Sequence, residues 1–182
     1  MERETDPREA ILLAGLLAAP AEGALEVLRE FQEQAPWLDR AINELELMPL
    51  DQWQGEHTRL FVTGYPKTVC PPFESAYREG RMDGNAAAEL EALYAEMGLG
   101  VEEMPADFLG TMLGCAGHLA AEGQAEGPQW RALWQDHLLE WVPDFTRDLR
   151  ANSGLLLYRL LADRLELLCT ETYRELAESE DG

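Results

Sequence analysis

Apolar residues in this chain recur at three- and four-residue spacing, and prolines and glycines punctuate them. Nowhere do apolar and polar residues alternate strictly over a run long enough for a strand. That pattern restricts the chain to helices packed on helices. Asp6 to Ala19 reads as a first helix, with Asp6 as N-cap, Pro7 at its first position and Pro20 closing it. Ala21 to Gln34 is a second, with Leu25, Leu28 and Phe31 on one face. Trp37 to Met48 is a third, bounded by Pro36 and Pro49. Leu50 to Val62 follows, its stripe formed by Trp53, His57, Leu60 and Phe61. Thr63 to Pro72, with three prolines and a glycine, is a loop.

Downstream, Asn85 caps a helix that runs to Met97, where Gly98 supplies the C-terminal stop. Another runs from Pro105 or Ala106 to Ala121, and residues 123–128 break the chain. Gln129 to Trp141 resumes, and Pro143 punctuates. Leu155 to Glu178 forms a long last helix with a stripe of Leu157, Leu160, Leu161, Leu165 and Leu168. The expected architecture is all-α, a single globular multi-helix domain over residues 1–182, with a candidate hinge at 63–84 and a break at 123–128. A poorly patterned stretch such as 63–84 in a compact helical domain is often functional, and it can equally be a linker.

The 182 residues are enough to bury a core without a disulfide or metal staple. The charge is lopsided: 35 acids against 14 bases give a net charge of −21. Nucleic acid is a poor partner for such a surface, since phosphate binding needs a basic face, and so is an anionic membrane. A basic, arginine-bearing partner fits; solubility alone also accounts for an acidic surface. The apolar run AILLAGLLAA follows a segment with four acids and two arginines, the reverse of a secretory leader. It is also too short to span a bilayer. The three cysteines, Cys70, Cys115 and Cys169, are far apart and form no CxxC. They read as free thiols in a reducing compartment, which places the protein in the cytoplasm without stable membrane insertion.

Signatures of catalysis are missing. The only lysine lies in GYPKT, where Pro66 occupies a position that a phosphate loop reserves for glycine. The three histidines make no HxxxH, HExxH or Glu-x-x-His pattern, so neither a zinc nor a di-metal carboxylate site is written here. His118, alone on an apolar helix face, reads as a core histidine. No GxSxG elbow occurs, and Cys70 has no evident activating base. The expectation is a protein that is not an enzyme and holds no cofactor.

Three stretches carry more information. EHTRLFVTGYPKTVCPPFESAY, residues 56–77, ends a helix and crosses a Gly/Pro loop. It then gathers Tyr65, Pro72, Phe73 and Tyr77 beside the carboxylate of Glu74 and the hydroxyl of Ser75. Rigid aromatic and proline surfaces bind apolar peptide at low entropic cost, and a carboxylate can take an arginine fork. The same residues could also serve as a loop packed on its own core, with Glu74 or Ser75 capping the next helix. EMPADF, residues 103–108, places Asp107 near a helix start, where the macrodipole favours an acid whatever the function. HLLEWVPDFTRDLRANSGLLLY, residues 137–158, puts His137 and Trp141 four apart on one face.

In order and spacing these stretches resemble the TorD/DmsD/NarJ group of cytoplasmic molybdoenzyme assembly chaperones. The matching residues are Glu56, Arg59-Leu60-Phe61, Gly64 and Pro71-Pro72-Phe73-Glu74-Ser75-Ala76-Tyr77. A second element is matched by Glu103 and Asp107, with Phe108 where the family has histidine. A third is matched by His137-Leu138, Trp141, Pro143, Phe145 and Tyr158. The resemblance implies a chaperone that binds the precursor of a molybdenum-cofactor oxidoreductase, through its twin-arginine signal peptide, its apoenzyme body or both. Export would be delayed until the cofactor is inserted.

The resemblance also implies a monomer or a domain-swapped homodimer. Its client-binding surface would draw on Tyr65, Pro72, Phe73, Glu74, Ser75, Tyr77, Glu103, Asp107, Phe108, His137 and Trp141, with His137 and Trp141 shaping the fold beside it. Phe108 can neither donate a hydrogen bond nor carry charge, so recognition there either shifts toward apolar contact or falls on a different segment of the client. The alternative is an acidic helical scaffold that binds a basic partner without maturing it.

Overall fold

The computed structural model describes residues 6–64, 67–101 and 103–180. Ten α-helices follow one another among them: α1 (Pro7–Leu16), α2 (Ala24–Glu30), α3 (Asp39–Glu46), α4 (Leu50–Phe61), α5 (Glu74–Glu79), α6 (Asn85–Glu96), α7 (Leu109–Ala121), α8 (Pro128–Arg131), α9 (Leu139–Asn152) and α10 (Leu156–Glu180). A short 3₁₀ turn, Pro36–Leu38, leads into α3, and a π-helical segment, Ala132–Leu138, joins α8 to α9. The described residues contain no strand; a single isolated β-bridge pairs Phe73 with Phe108. The all-helical expectation therefore holds.

Most helix starts are legible locally. Asp6 accepts the Arg8 N–H at 2.9 Å with Pro7 at the first position, the arrangement expected of an N-cap. Gly98 takes φ +71° just past α6, as a left-handed stop requires. Three expectations are corrected. Asn85 is the first residue of α6 rather than its cap; Gly84 is the cap, and the Glu79 carboxylate accepts from the N–H groups of Asn85 and Ala86 at 2.9 and 3.2 Å. The helix expected from Pro105 or Ala106 starts at Leu109, because residues 105–108 are spent on a turn and the bridge. Pro143 does not punctuate: it lies inside α9. The wide turns of the π segment just before it loosen the regular ladder, so a residue without an N–H is accommodated.

Helix α1 lies along α7, α10 lies along α9 and reaches α3, and the short α5 is wedged against α9 and α6. Gly117 is what lets α1 approach α7. A Cβ there would sit 2.9 Å from Ile11 and 3.1 Å from the Pro7 carbonyl. The core is contiguous and rich in aromatics, with Trp130, Trp134, Trp141, Phe145 and Tyr158 essentially solvent-free. Each such side chain contributes roughly 1.5–3 kcal/mol of burial free energy. Of the histidines, His57 and His137 are buried. His118 is exposed, so it is not the core histidine its helix face suggested.

Candidate functional site

The first informative stretch divides into two parts with different jobs. Its helical part clamps the fold. Arg59 donates to both oxygens of Glu56 at 2.7–2.8 Å and to the Asn152 carbonyl at 2.6 Å, while Glu56 accepts the Gly154 N–H at 2.6 Å. The pair thus closes the turn between α9 and α10. The bond from Arg59 holds the Glu56 carboxyl below its ordinary range. The buried His57 places Nε2 2.8 Å from the Leu17 carbonyl and packs edge-on against Phe61. Trp53 donates to the Tyr158 hydroxyl at 3.1 Å.

The second part, Pro71 to Tyr77, is a strap laid across the start of α7. The Leu109 N–H donates to the Pro72 carbonyl at 2.9 Å, and the Glu74 N–H donates to the Asp107 carbonyl at 3.1 Å. The Phe73 and Phe108 rings meet across this bridge at 5.5 Å. A Cβ on Gly110 would collide with the Phe108 ring, so the glycine leaves room for the ring to lie back over α7. The Tyr94 hydroxyl, donating to the Ala106 carbonyl at 2.8 Å, pins the turn from the other side.

Asp107 therefore does not sit in the first turn of α7. Its Oδ2 accepts the Ser75 N–H at 2.9 Å, so the carboxylate caps α5, where the free N–H groups and the macrodipole favour it. Its Oδ1 is buried without a hydrogen-bond partner among the described residues. The Ser75 hydroxyl, also buried, accepts the Gly84 N–H at 3.0 Å and anchors the approach to α6.

Glu74 is fully buried. Its Oε1 accepts from Arg78 at 2.5 Å, and both its oxygens lie 3.0 Å from Nδ1 of His137. Arg78 also donates to the Asp136 carbonyl at 3.0 Å, and its bond to Glu74 raises the guanidinium pKa. Strap, α5 and π segment are thereby tied into one joint. Above it, Tyr77 packs against Trp141 and Phe145 at 5.5 and 6.0 Å and donates to Asp148 at 3.1 Å. Burial and the Asp148 charge push the Tyr77 phenol far above its ordinary value.

The three sequence stretches thus converge, but their residues are not equally accessible. Pro72, Glu74, Ser75, Asp107, His137 and Trp141 are buried; Phe73, Tyr77 and Phe108 are partly exposed, and Glu103 is exposed. Tyr65 lies outside the described residues. An arginine fork on Glu74, one expectation from the sequence, meets a carboxylate already held by Arg78 and His137. Beside the strap opens a cleft of about 410 Å³ lined by Lys67, Val69, Pro71, Tyr77, Met82 and Asp148, among others. Neither Asp148 nor Met82 is marked as a site residue by the sequence pattern. Asp148 is 71 residues from the tyrosine it binds, and no local pattern marks either one.

No group of three or more metal-ligating side chains forms among the described residues, and no helix there is long and apolar enough to cross a membrane. Cys70, Cys115 and Cys169 are all buried and free. Burial pushes the thiols of Cys70 and Cys169 to about 12 and that of Cys115 to about 11.

The chain as a whole is similar to known proteins. Its backbone superposes on the crystal structure of a candidate redox enzyme maturation protein from Archaeoglobus fulgidus with a TM-score of 0.64, over 91% of this chain and 93% of that one. The two are 20% identical, so this likeness speaks for the fold. The chaperone protein YcdY of Escherichia coli K12 is 25% identical over 160 residues, 85% of this chain and 84% of its own length. The family model of the nitrate reductase delta subunit matches residues 18–147, a span holding the strap, Asp107, His137 and Trp141. With most of its length and the whole joint inside that match, the chain belongs to the nitrate reductase delta subunit family.

Proposed function

We propose that this protein is a cytoplasmic assembly chaperone for a molybdopterin-type oxidoreductase, and that it binds the twin-arginine signal peptide of the precursor beside the strap. The observation that carries this is the division of labour at the joint. Buried polar groups (Glu74, Ser75, Asp107 and His137) lock the strap down, and the rings of Phe73, Phe108 and Tyr77 are left partly open at the surface. A rigid, pre-formed aromatic platform binds an apolar segment without an ordering cost. A twin-arginine leader has such a segment after its basic pair. The cleft is lined by Val69, Pro71, Ala76, Tyr77 and Met82, which suit the apolar stretch, while its Lys67 and Arg81 repel an arginine pair. The arginines belong on the surrounding acidic surface, where Glu103 is exposed and where a net charge of −21 steers them.

Phe108, standing where the resembling chaperones carry histidine, makes the platform a reader of apolar side chains. Calorimetric titration with the twin-arginine leaders encoded by the same genome tests this. One leader should bind at micromolar strength or better. Phe73→Ala and Phe108→Ala should each weaken it about tenfold, in keeping with loss of a partly desolvated aromatic anchor. An Arg-Arg to Lys-Lys change in the peptide should weaken it as well, because a guanidinium fork and an ammonium are not equivalent. Equal affinity for the Lys-Lys peptide would instead identify an acidic scaffold that senses charge alone.

A further inference from the structure

A second cleft opens away from the strap, between the start of α1, the turn that follows α2 and the middle of α10. It encloses about 520 Å³, within the range of sites for small molecules. Phe31 and Trp37 bring two partly exposed rings to it. Ile11 adds a side chain that is 55% exposed, apolar surface that folding has left in water. Such a lining gains most from a flat aromatic body, which stacks on rings and gives up little conformational freedom.

The polar groups narrow the class of ligand. Asp6, Arg8, Glu9 and Arg164 line the cleft, two of each sign, in a chain with 35 acids and 14 bases. A site whose own charges cancel offers no net attraction to an ion. Asp6 is committed to capping α1. The guanidinium of Arg164 lies 5.6 Å from the centre of the Trp37 ring. It donates through Nε at 2.7 Å, and also through Nη2, to a single oxygen of Glu9, Oε1. Nη1 of Arg164 and Oε2 of Glu9 are left without a hydrogen-bond partner among the described residues. The pair thus presents one free donor and one free acceptor. A carboxylate drawn to Arg164 would meet Glu9, and an ammonium drawn to Glu9 would meet Arg164. A hydroxyl pairs with either group, since it both donates and accepts, and leaves the ion pair closed. Glu9 and Arg164 also fall outside residues 18–147, the stretch that the family model matches.

We propose that this cleft binds a small neutral phenol. Its ring lies against Ile11, Phe31 and Trp37, and its hydroxyl bonds to the Glu9–Arg164 pair. The site is separate from the strap and does not depend on the leader reading.

The probe is 2-naphthol, uncharged at neutral pH, followed by calorimetry and by amide and indole shift mapping on the full chain. Trp53, Trp130, Trp134 and Trp141 are buried, so the partly exposed Trp37 indole is the reporter. The naphthol should bind with a Kd of about 100 µM or lower, within the reach of a ligand of its size. Shifts should concentrate in residues 6–12 and 31–37 and around Arg164. The charged 2-naphthoate should bind at least roughly tenfold more weakly, and 2-methylnaphthalene, which keeps the shape and drops the hydroxyl, at least roughly threefold more weakly. Gln34→Trp, which fills the cleft from an exposed position, should weaken naphthol binding at least roughly tenfold. Arg164→Lys keeps the charge beside Glu9 and gives up the guanidinium fork; it should weaken binding roughly threefold and provides a second variant should Gln34→Trp melt early. Failure of 2-naphthol to bind, shifts confined to other surfaces, equal binding of either comparison compound, or affinity unchanged in both variants would overturn the proposal. Tighter binding of N-acetyltyrosinamide than of 2-naphthol would assign the cleft to a tyrosine of a partner chain and overturn it too.

Discussion

Nδ1 of His137 lies 3.0 Å from both carboxylate oxygens of Glu74, 63 residues earlier in the chain, and both side chains are buried. This contact joins the strap to the π segment, and Arg78 completes it. Removing one member of a buried hydrogen-bonded cluster leaves a buried polar group short of its partner, at about 1–3 kcal/mol. Glu74→Ala and His137→Ala should each destabilise the fold by that amount in urea titration. The double variant should cost clearly less than the sum of the two, because the pair is coupled.

The Glu56–Arg59 clamp on the α9–α10 turn sets an acid limit. The folded-state pKa of Glu56 is depressed by its bond to Arg59. Its contribution is therefore fully present above the unfolded carboxyl value of 4.5 and is lost as pH falls through the lower folded value. Arg59 is 46% exposed, so solvent screens the pair and about 1 kcal/mol is at stake. Glu56→Gln should lower stability by about that much at pH 7. The gap to the parent should close as pH drops below 4, read from thermal melts across a pH series.

Gly117 allows α1 to cross α7. In Gly117→Ala the new methyl would meet Ile11, which can move, and the Pro7 carbonyl, which is backbone and cannot move cheaply. Overpacking of this kind costs about 1–3 kcal/mol. For a chain of this length that corresponds to a fall in Tm of roughly 2–4 °C per kcal/mol. Unchanged melting would mean that the two helices are not so closely apposed.

All three thiols are buried, with pKa values raised to about 11 or 12. Reactivity follows the thiolate and its exposure. Titration with an aromatic disulfide reagent at pH 8 should find no fast-reacting thiol in the native protein and three after denaturation. Rapid reaction at Cys70 in the folded state would show that the chain entering the strap opens.

Helix identity was readable from local signals because capping, periodicity and proline placement act within a turn or two. Asp6 and Pro7 open α1, Gly98 closes α6, and Trp53, His57, Leu60 and Phe61 face inward together, as their spacing says. The order of the three stretches likewise pointed to the family that the wider comparison shows. Where local signals erred, a distant partner had overridden them. Asp107 was legible as an acid near a helix start, but the helix it caps is α5, because the Phe73–Phe108 bridge carries the strap to it. Pro143 looked like a terminator and is not one, because the π segment ahead of it absorbs the missing donor.

What the sequence by itself determined is the set of helices, the acidic character of the surface and the residue types gathered in three stretches. Those properties depend on neighbours a few positions away. Only the tertiary structure decided which of those residues lock the joint and which face water. Glu74 and Phe73 are adjacent, yet the carboxylate is sealed against Arg78 and His137 while the ring is partly open beside Phe108. The difference is set by α7, α9 and the π segment closing on the strap from more than 30 residues away, and no pattern within the strap encodes that closure.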